Sequence, residues 1–252
     1  MESKRPNEYG EVAMKSPVVE KLENFWYYYK WHTIVALFLV FTILICSLQM
    51  CSKKETDVHV IYAGSAVIKR TADDGDTPAY NRLMTALGER AEDYNGDGEK
   101  ILTLTTLSFL SAAEIEEINK NPELEVNYSL LEQDMDTFEQ NFIYGTGDFY
   151  VLFCTKSVYE AYKTVADVEI FAPVASYLDP DYDGYELYSD SAVVLSSTPL
   201  WESSATIRQI LPADTLVTLR VKSYISGTFD KAGTDQKYKN AEAYFRQLLE
   251  AK

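Results

Sequence analysis

Histidine is scarce, with His32 and His59 the two in 252 residues. One stands at the edge of an apolar run and the other in a β-like stretch, which excludes most histidine-centred triads and multi-histidine metal centres. Cysteine is nearly as scarce. Of Cys46, Cys51 and Cys154, the last alone belongs to the polar part of the chain. No disulfide can form within that part, so this is not a disulfide-built secreted fold, although an exported domain needs none. There is no GxSxG, no Walker loop and no CxxC, which removes the sequence signatures of esterase-type hydrolases, nucleotide triphosphatases and dithiol oxidoreductases. Basic charge is in deficit: 23 Lys and Arg stand against 39 Asp and Glu, a net charge of −16. That argues against nucleic acid, or anionic headgroups, as partners of a basic surface.

The deficit is uneven. Residues 1–51 hold five basic residues (Lys4, Arg5, Lys15, Lys21, Lys30) and five Glu (Glu2, Glu8, Glu11, Glu20, Glu23). All the excess acid therefore follows residue 51, where it keeps a domain of roughly 200 residues soluble. Between the two regions lies the one long apolar run, Thr33–Met50, which carries no charge. As a helix it covers roughly 27 Å, enough for a bilayer core. Thirty-two residues, most of them polar or aromatic, precede it, no small-x-small site follows, and Leu48-Gln49-Met50 before Cys51 is too bulky for a lipoprotein box. The expectation is an uncut anchor. Residues 1–15 are expected to be disordered, 16–51 to form an interfacial and then a transmembrane helix, 52–56 a linker, and 57–252 an extracytoplasmic domain. The ring-rich cluster Phe25-Trp26-Tyr27-Tyr28-Tyr29-Lys30-Trp31 fits a belt at headgroup depth, with Phe25, Trp26, Tyr28 and Trp31 as interface residues. Its alternative is a docking surface for another membrane protein. Lysines flank both ends of the run, so charge does not set the orientation. An anchor ahead of a large domain usually delivers that domain outside, which places the N-terminus in the cytoplasm.

The polar part alternates strands and helices. Strands are expected at Asp57–Ala63, Ile101–Phe109, Phe149–Cys154, Ala192–Leu195 and Leu216–Val221, the third buried on both faces. Helices are expected after Thr77-Pro78, after the capping boxes Ser111-Ala-Ala-Glu114 and Ser129-Leu-Leu-Glu132, after Thr155, and over the closing stretch with Tyr238, Ala241, Tyr244, Phe245, Leu248 and Leu249 inward. The pattern predicts an α/β fold: a mostly parallel sheet, helices on both faces in three layers, preceded by one transmembrane helix.

Ligands of such sheets meet the carboxyl ends of the strands, here Gly64, Ser65, Ser108 and Thr155. The helix starts at Ser111 and Thr155 offer N–H groups to an anionic or hydroxylated ligand, or simply cap their helices. Nineteen tyrosines suit a sugar or peptide surface, or serve as amphipathic filler. Two loops have calcium-like spacing. Asp93, Asn95 and Asp97 with Gly98 make half of such a loop. Asp179, Asp181, Asp183 and Asp190 complete the twelve-residue spacing, but Glu186 stands where an apolar residue is usual. Solvated Asp-Gly turns explain both equally. No catalytic residue is expected and no cofactor beyond calcium; a two-carboxylate hydrolase is the distant alternative.

Two passages carry a resemblance. Phe138-Glu-Gln-Asn-Phe-Ile-Tyr-Gly145-Thr-Gly147-Asp148-Phe-Tyr-Val-Leu-Phe153 is similar to the first lobe of extracellular solute-binding proteins of the type II periplasmic-binding class. Asn240-Ala-Glu-Ala-Tyr-Phe-Arg-Gln-Leu-Leu249 is similar to a helix near their end. The N-terminal LENFWYYYKWHTI resembles the start of a group of uncharacterised anchored proteins of Gram-positive bacteria. The resemblance implies a membrane-tethered, non-enzymatic binding or accessory domain with room for one lobe, taking a small molecule, sugar or peptide. The alternative is an interaction subunit of a transporter or envelope complex.

Overall fold

A 35-residue helix, α1 (Pro17–Cys51), opens the described part of the chain. The computed structural model describes residues 17–51, 55–65, 70–71, 75–76, 78–121, 126–144, 148–165, 167–222 and 231–251. The expected disorder at 1–15 and most of the linker at 52–56 lie outside those residues. Proline suits the first turn of α1 because its missing N–H has no partner there anyway. Within α1, Phe25–Leu48 is long and apolar enough to cross a membrane by length and composition. Its two threonine hydroxyls donate back to helix carbonyls, Thr33 to Tyr29 at 3.0 Å and Thr42 to Phe38 at 2.8 Å. Neither threonine hydroxyl is therefore left open to an apolar surrounding.

The chain divides into two units, and the second begins at Glu55. It runs β1 (Val58–Gly64), the short pair β2 (Arg70–Thr71) and β3 (Gly75–Asp76), α2 (Pro78–Gly88), β4 (Leu102–Ser108), α3 (Ala112–Lys120) and α4 (Tyr128–Phe138). A π-helical turn, Glu139–Ile143, leads to β5 (Phe149–Cys154) and α5 (Lys156–Tyr162). The short pair β6 (Thr164–Val165) and β7 (Val168–Glu169) follows, then β8 (Leu187–Ser189), β9 (Ala192–Val194), α6 (Pro199–Ser203), α7 (Ala205–Ile210), β10 (Leu216–Leu219) and α8 (Lys231–Leu249).

The sheet is mixed, which corrects the expectation of a mostly parallel one. Its order is β4-β1-β5-β10-β9-β8. The strands joined through helices, β4, β1 and β5, are parallel. The other three pair antiparallel, β10 with β5, β9 with β10 and β8 with β9. Asp190-Ser191 alone joins β8 to β9, and two residues can close a hairpin but not a crossover. One helix start also differs. Asn127, not Ser129, caps α4, taking the Leu130 N–H at 3.0 Å, and Ser129 lies inside the helix. The helix after Thr155 stops at Tyr162, and the backbone turns at Asp167 with φ 64° to form β6–β7.

Alternate residues of β1 enter two buried clusters, as the pleat requires. Val58, Val60 and Tyr62 pack with Leu83 and Leu87 of α2 and with Tyr244, Phe245 and Leu248 of α8. Ile61 and Ala63 pack with Phe138, Phe142, Val158 and Tyr159. Every residue of β5 after Phe149 is buried. Two buried tyrosine hydroxyls are satisfied by backbone: Tyr80 donates to Leu104 O at 2.7 Å and Tyr244 to Leu87 O at 2.9 Å. His59 of β1 lies against Phe149, ring centroids 3.9 Å apart, with Nε2 2.8 Å from Thr105 Oγ1. Burial lowers its pKa to about 4 against the opposing pull of Asp148, so the ring is neutral at physiological pH.

Candidate functional site at the strand ends

The parallel strands end together. Gly64 pairs with Ser108 and Ala63 with Cys154. Past the ladder, Phe109 N–H donates to Gly64 O at 3.0 Å and Thr155 N–H to Ala63 O at 3.2 Å. Gly64, Ser65, Ser108 and Thr155, far apart in the chain, thus share one end of the sheet. Glycine is required at 64 by space: a Cβ there would stand 2.5 Å from the Tyr62 hydroxyl and 3.2 Å from Thr155 Cγ2.

Two carboxylates join these residues. Glu114 Oε2 accepts from Ser111 N–H at 2.7 Å and from the Ser111 hydroxyl at 2.6 Å. Burial pushes the Glu114 pKa up, but the Ser111 bonds and one from the Ser65 side chain outweigh it, and the carboxyl sits below its ordinary range. Asp134 of α4 accepts Ser108 N–H at 2.7 Å. There burial prevails over the Ser108 bonds and the pKa is raised. Glu114 was legible as part of a capping box, though not as a neighbour of Ser65. Asp134 carries no sequence signal, being one acid among several in α4.

One of the two helix starts is already occupied. The Glu114 side chain fills the N-terminus of α3 in a complete capping box. Thr155 makes no side-chain cap, and its hydroxyl pairs with Ser157 Oγ at 2.9 Å. Beside Ser65 lies an open depression of ≈ 690 Å³, lined in part by Leu110, Glu114, Glu117 and Lys120. Lys120 is engaged by Glu116 at 2.9 Å, which leaves the depression acidic. The arrangement favours neutral or cationic, hydroxyl-rich ligands over anions. Serine beside a carboxylate is a weak nucleophile, because the carboxylate binds a proton far less tightly than the alkoxide it would have to create.

The first Asp loop is bound up in its own backbone. Asp93 accepts from Gly96 N–H at 2.6 Å and Gly98 N–H at 2.8 Å, Asn95 from Asp97 N–H at 2.8 Å, and Asp97 from Glu99 N–H at 2.9 Å. Gly96 and Gly98 have φ of 77° and 87°, a region open to glycine. Asp57, which was not singled out from sequence, pins this loop. It is 2% exposed and accepts from Tyr94, Asn95 and Ile101 N–H at 2.9, 3.0 and 2.9 Å. In the second loop, Asp179 accepts from Asp181 N–H at 3.0 Å and Ala251 N–H at 3.1 Å. Asp181 and Asp183 are exposed, and Asp190 sits in the β8–β9 turn. Among the described residues, no three or more His, Cys, Asp or Glu side chains are grouped to hold a metal.

On α1, Phe25, Trp26, Tyr28 and Trp31 are all exposed. Consecutive helix positions turn by about 100°, so Phe25–Tyr29 and Trp31 surround the helix instead of lining one face. A ring on every side suits lipid headgroups better than a single protein neighbour.

Comparison of the chain with protein-family models, with curated proteins and with solved structures gave no match.

Proposed function

We infer that this chain is a single-pass membrane protein carrying a non-enzymatic binding domain outside the cell, with its N-terminus in the cytoplasm. We read the two buried clusters as the two faces of a three-layer α/β unit. Its ligand site is the end of β1, β4 and β5, and its ligand is a small molecule, sugar or peptide, neutral or cationic. One observation carries this reading: Ser65, Ser108 and Thr155 converge with Glu114 and Asp134 beside an acidic depression. The test is thermal unfolding of the full chain in detergent against a panel of sugars, amino acids and peptides, with and without calcium. A ligand present at a hundred times its Kd adds about 2.7 kcal/mol, a shift of a few degrees for a domain of this size. The shift should vanish in Ser65→Ala/Ser108→Ala. A shift with calcium alone would assign the Asp loops a structural metal and leave the strand ends without a ligand.

A second reading has its own support. The strand-end hydroxyls and carboxylates already satisfy one another, as in a scaffold that needs no ligand. On that reading the chain is an interaction subunit of a membrane complex. A flat panel on a cooperatively unfolding protein would favour it.

A further inference from the structure

The C-terminal half of α5, the β6–β7 pair, the segment after it and the β8–β9 hairpin line a second pocket of ≈ 500 Å³, within the range of small-ligand sites. None of its lining belongs to the strand-end site. Its back wall is aromatic: Tyr159 and Phe171 are both buried and stacked, ring centroids 5.0 Å apart at 16°. The wall is fixed in place, because the Tyr159 hydroxyl lies 2.6 Å from Ser189 Oγ and 2.7 Å from Ser191 Oγ. Both rings are only 3% exposed, so the apolar surface open to a ligand is mostly that of Pro173, Ala175 and Leu187, which share the lining with this fixed wall.

The rim is charged and unbalanced. Glu160, Glu169 and Asp190 line it, with Lys163 as the one cation in the lining. Lys163 is held by Glu160 at 2.7 Å, and Glu160 also accepts from the Tyr188 hydroxyl at 3.1 Å. Among the described residues, neither the Glu169 nor the Asp190 side chain has a cationic partner. Two unneutralised carboxylates over an apolar wall concentrate negative potential in the pocket. Anions are repelled, and a neutral ligand leaves the carboxylates unanswered.

We propose that this pocket binds a protonated organic amine, its body against Pro173, Ala175, Leu187 and the open edges of Tyr159 and Phe171, and its ammonium between Glu169 and Asp190. The ammonium of a free amine and the N-terminus of a peptide share this chemistry. Tyramine carries a ring and an ammonium; tyrosol is the same molecule with a hydroxyl in place of the amine. Titration calorimetry on the full chain in detergent, with a chelator present, compares the two, with Tyr-Gly-Gly as the peptide arm. Tyramine should bind at least tenfold more tightly than tyrosol, and the difference should shrink as salt rises. Glu169→Gln/Asp190→Asn should abolish the difference while leaving Tm within a degree or two, since both side chains are exposed and the Val174 N–H is held by the Asp190 backbone carbonyl. Binding of tyramine without the peptide supports a site for free amines; binding of both supports a site open to peptide N-termini as well. Equal affinity for tyramine and tyrosol, or an unchanged preference in the double variant, would overturn the proposal. Ser65→Ala/Ser108→Ala should leave tyramine binding intact, which separates the fate of this pocket from that of the strand ends.

Discussion

The two halves of the sheet solve the same problem differently. In β4-β1-β5 the strands are seven, seven and six residues long and run parallel. Helices connect them, and the polar groups at their ends answer one another, Ser65 with Glu114 and Ser108 with Asp134. In β10-β9-β8 the strands have four, three and three residues and run antiparallel. Here a hairpin folds over α5, leaving two carboxylates uncompensated beside an aromatic wall. Long crossovers demand an apolar run and a helix for each strand, so that half is expected to be the more rigid one. A hairpin demands only a turn, and it can carry charge to a rim at little cost to the core. Stability is therefore expected to reside in the first half and charge-driven recognition in the second.

Removing Asp57 should have the largest effect. Its carboxylate lies at the start of β1 and answers three N–H groups of residues 94–101. Asp57→Ala leaves those donors without their acceptor, and urea unfolding should show a loss of about 3–5 kcal/mol. A loss under 1 kcal/mol would mean that the parallel half does not depend on this pin. His59 comes next. Its folded pKa of about 4 lies below the unfolded value of 6.5, so the unfolded chain takes up the proton first. The stability that His59 contributes is complete above pH 6.5 and is lost as pH falls towards 4, by about 3 kcal/mol in all. In His59→Gln the midpoint of urea unfolding should fall less steeply between pH 6.5 and 4. An acid limb as steep as that of the unaltered protein would assign the sensitivity to other groups.

The same division governs what could be read from sequence. The strands β1, β4 and β5 showed themselves as β-branched or continuously apolar runs, and the helices between them as capped stripes. Gly64, Ser65, Ser108 and Thr155 then followed from topology alone, because strands joined by helices end on one side. β8 was missed because Leu187-Tyr188-Ser189 is three residues long and largely exposed, so neither alternation nor an apolar run marks it. The span 179–190 read as one Asp-rich loop, whereas its last residue turns a hairpin and faces a different pocket. Strand direction in the second half was hidden for a related reason: pairing of β10 with β5 is a contact between remote segments, and no local pattern encodes it. Asp57 and Asp134 were lost among 39 acids, since composition says nothing about which carboxylate the backbone surrounds.

The smallest expected effect probes the second half. Tyr159→Phe keeps the ring in the buried cluster and its stack on Phe171, but removes the hydroxyl that lies between Ser189 and Ser191. Both serines are partly exposed and can turn to water, so the loss of stability should be only about 1 kcal/mol. The hairpin, however, loses its buried link from α5 to the aromatic wall and keeps the exposed one from Tyr188 to Glu160. Amide exchange in β8–β9 should rise, while exchange in β1, β4 and β5 should not. Tyramine binding should weaken several-fold although both carboxylates and both rings remain, because the rim is no longer held over the wall. If exchange instead rises equally in both halves, the sheet opens as one unit, and the contrast between a rigid half and an adaptable half is wrong.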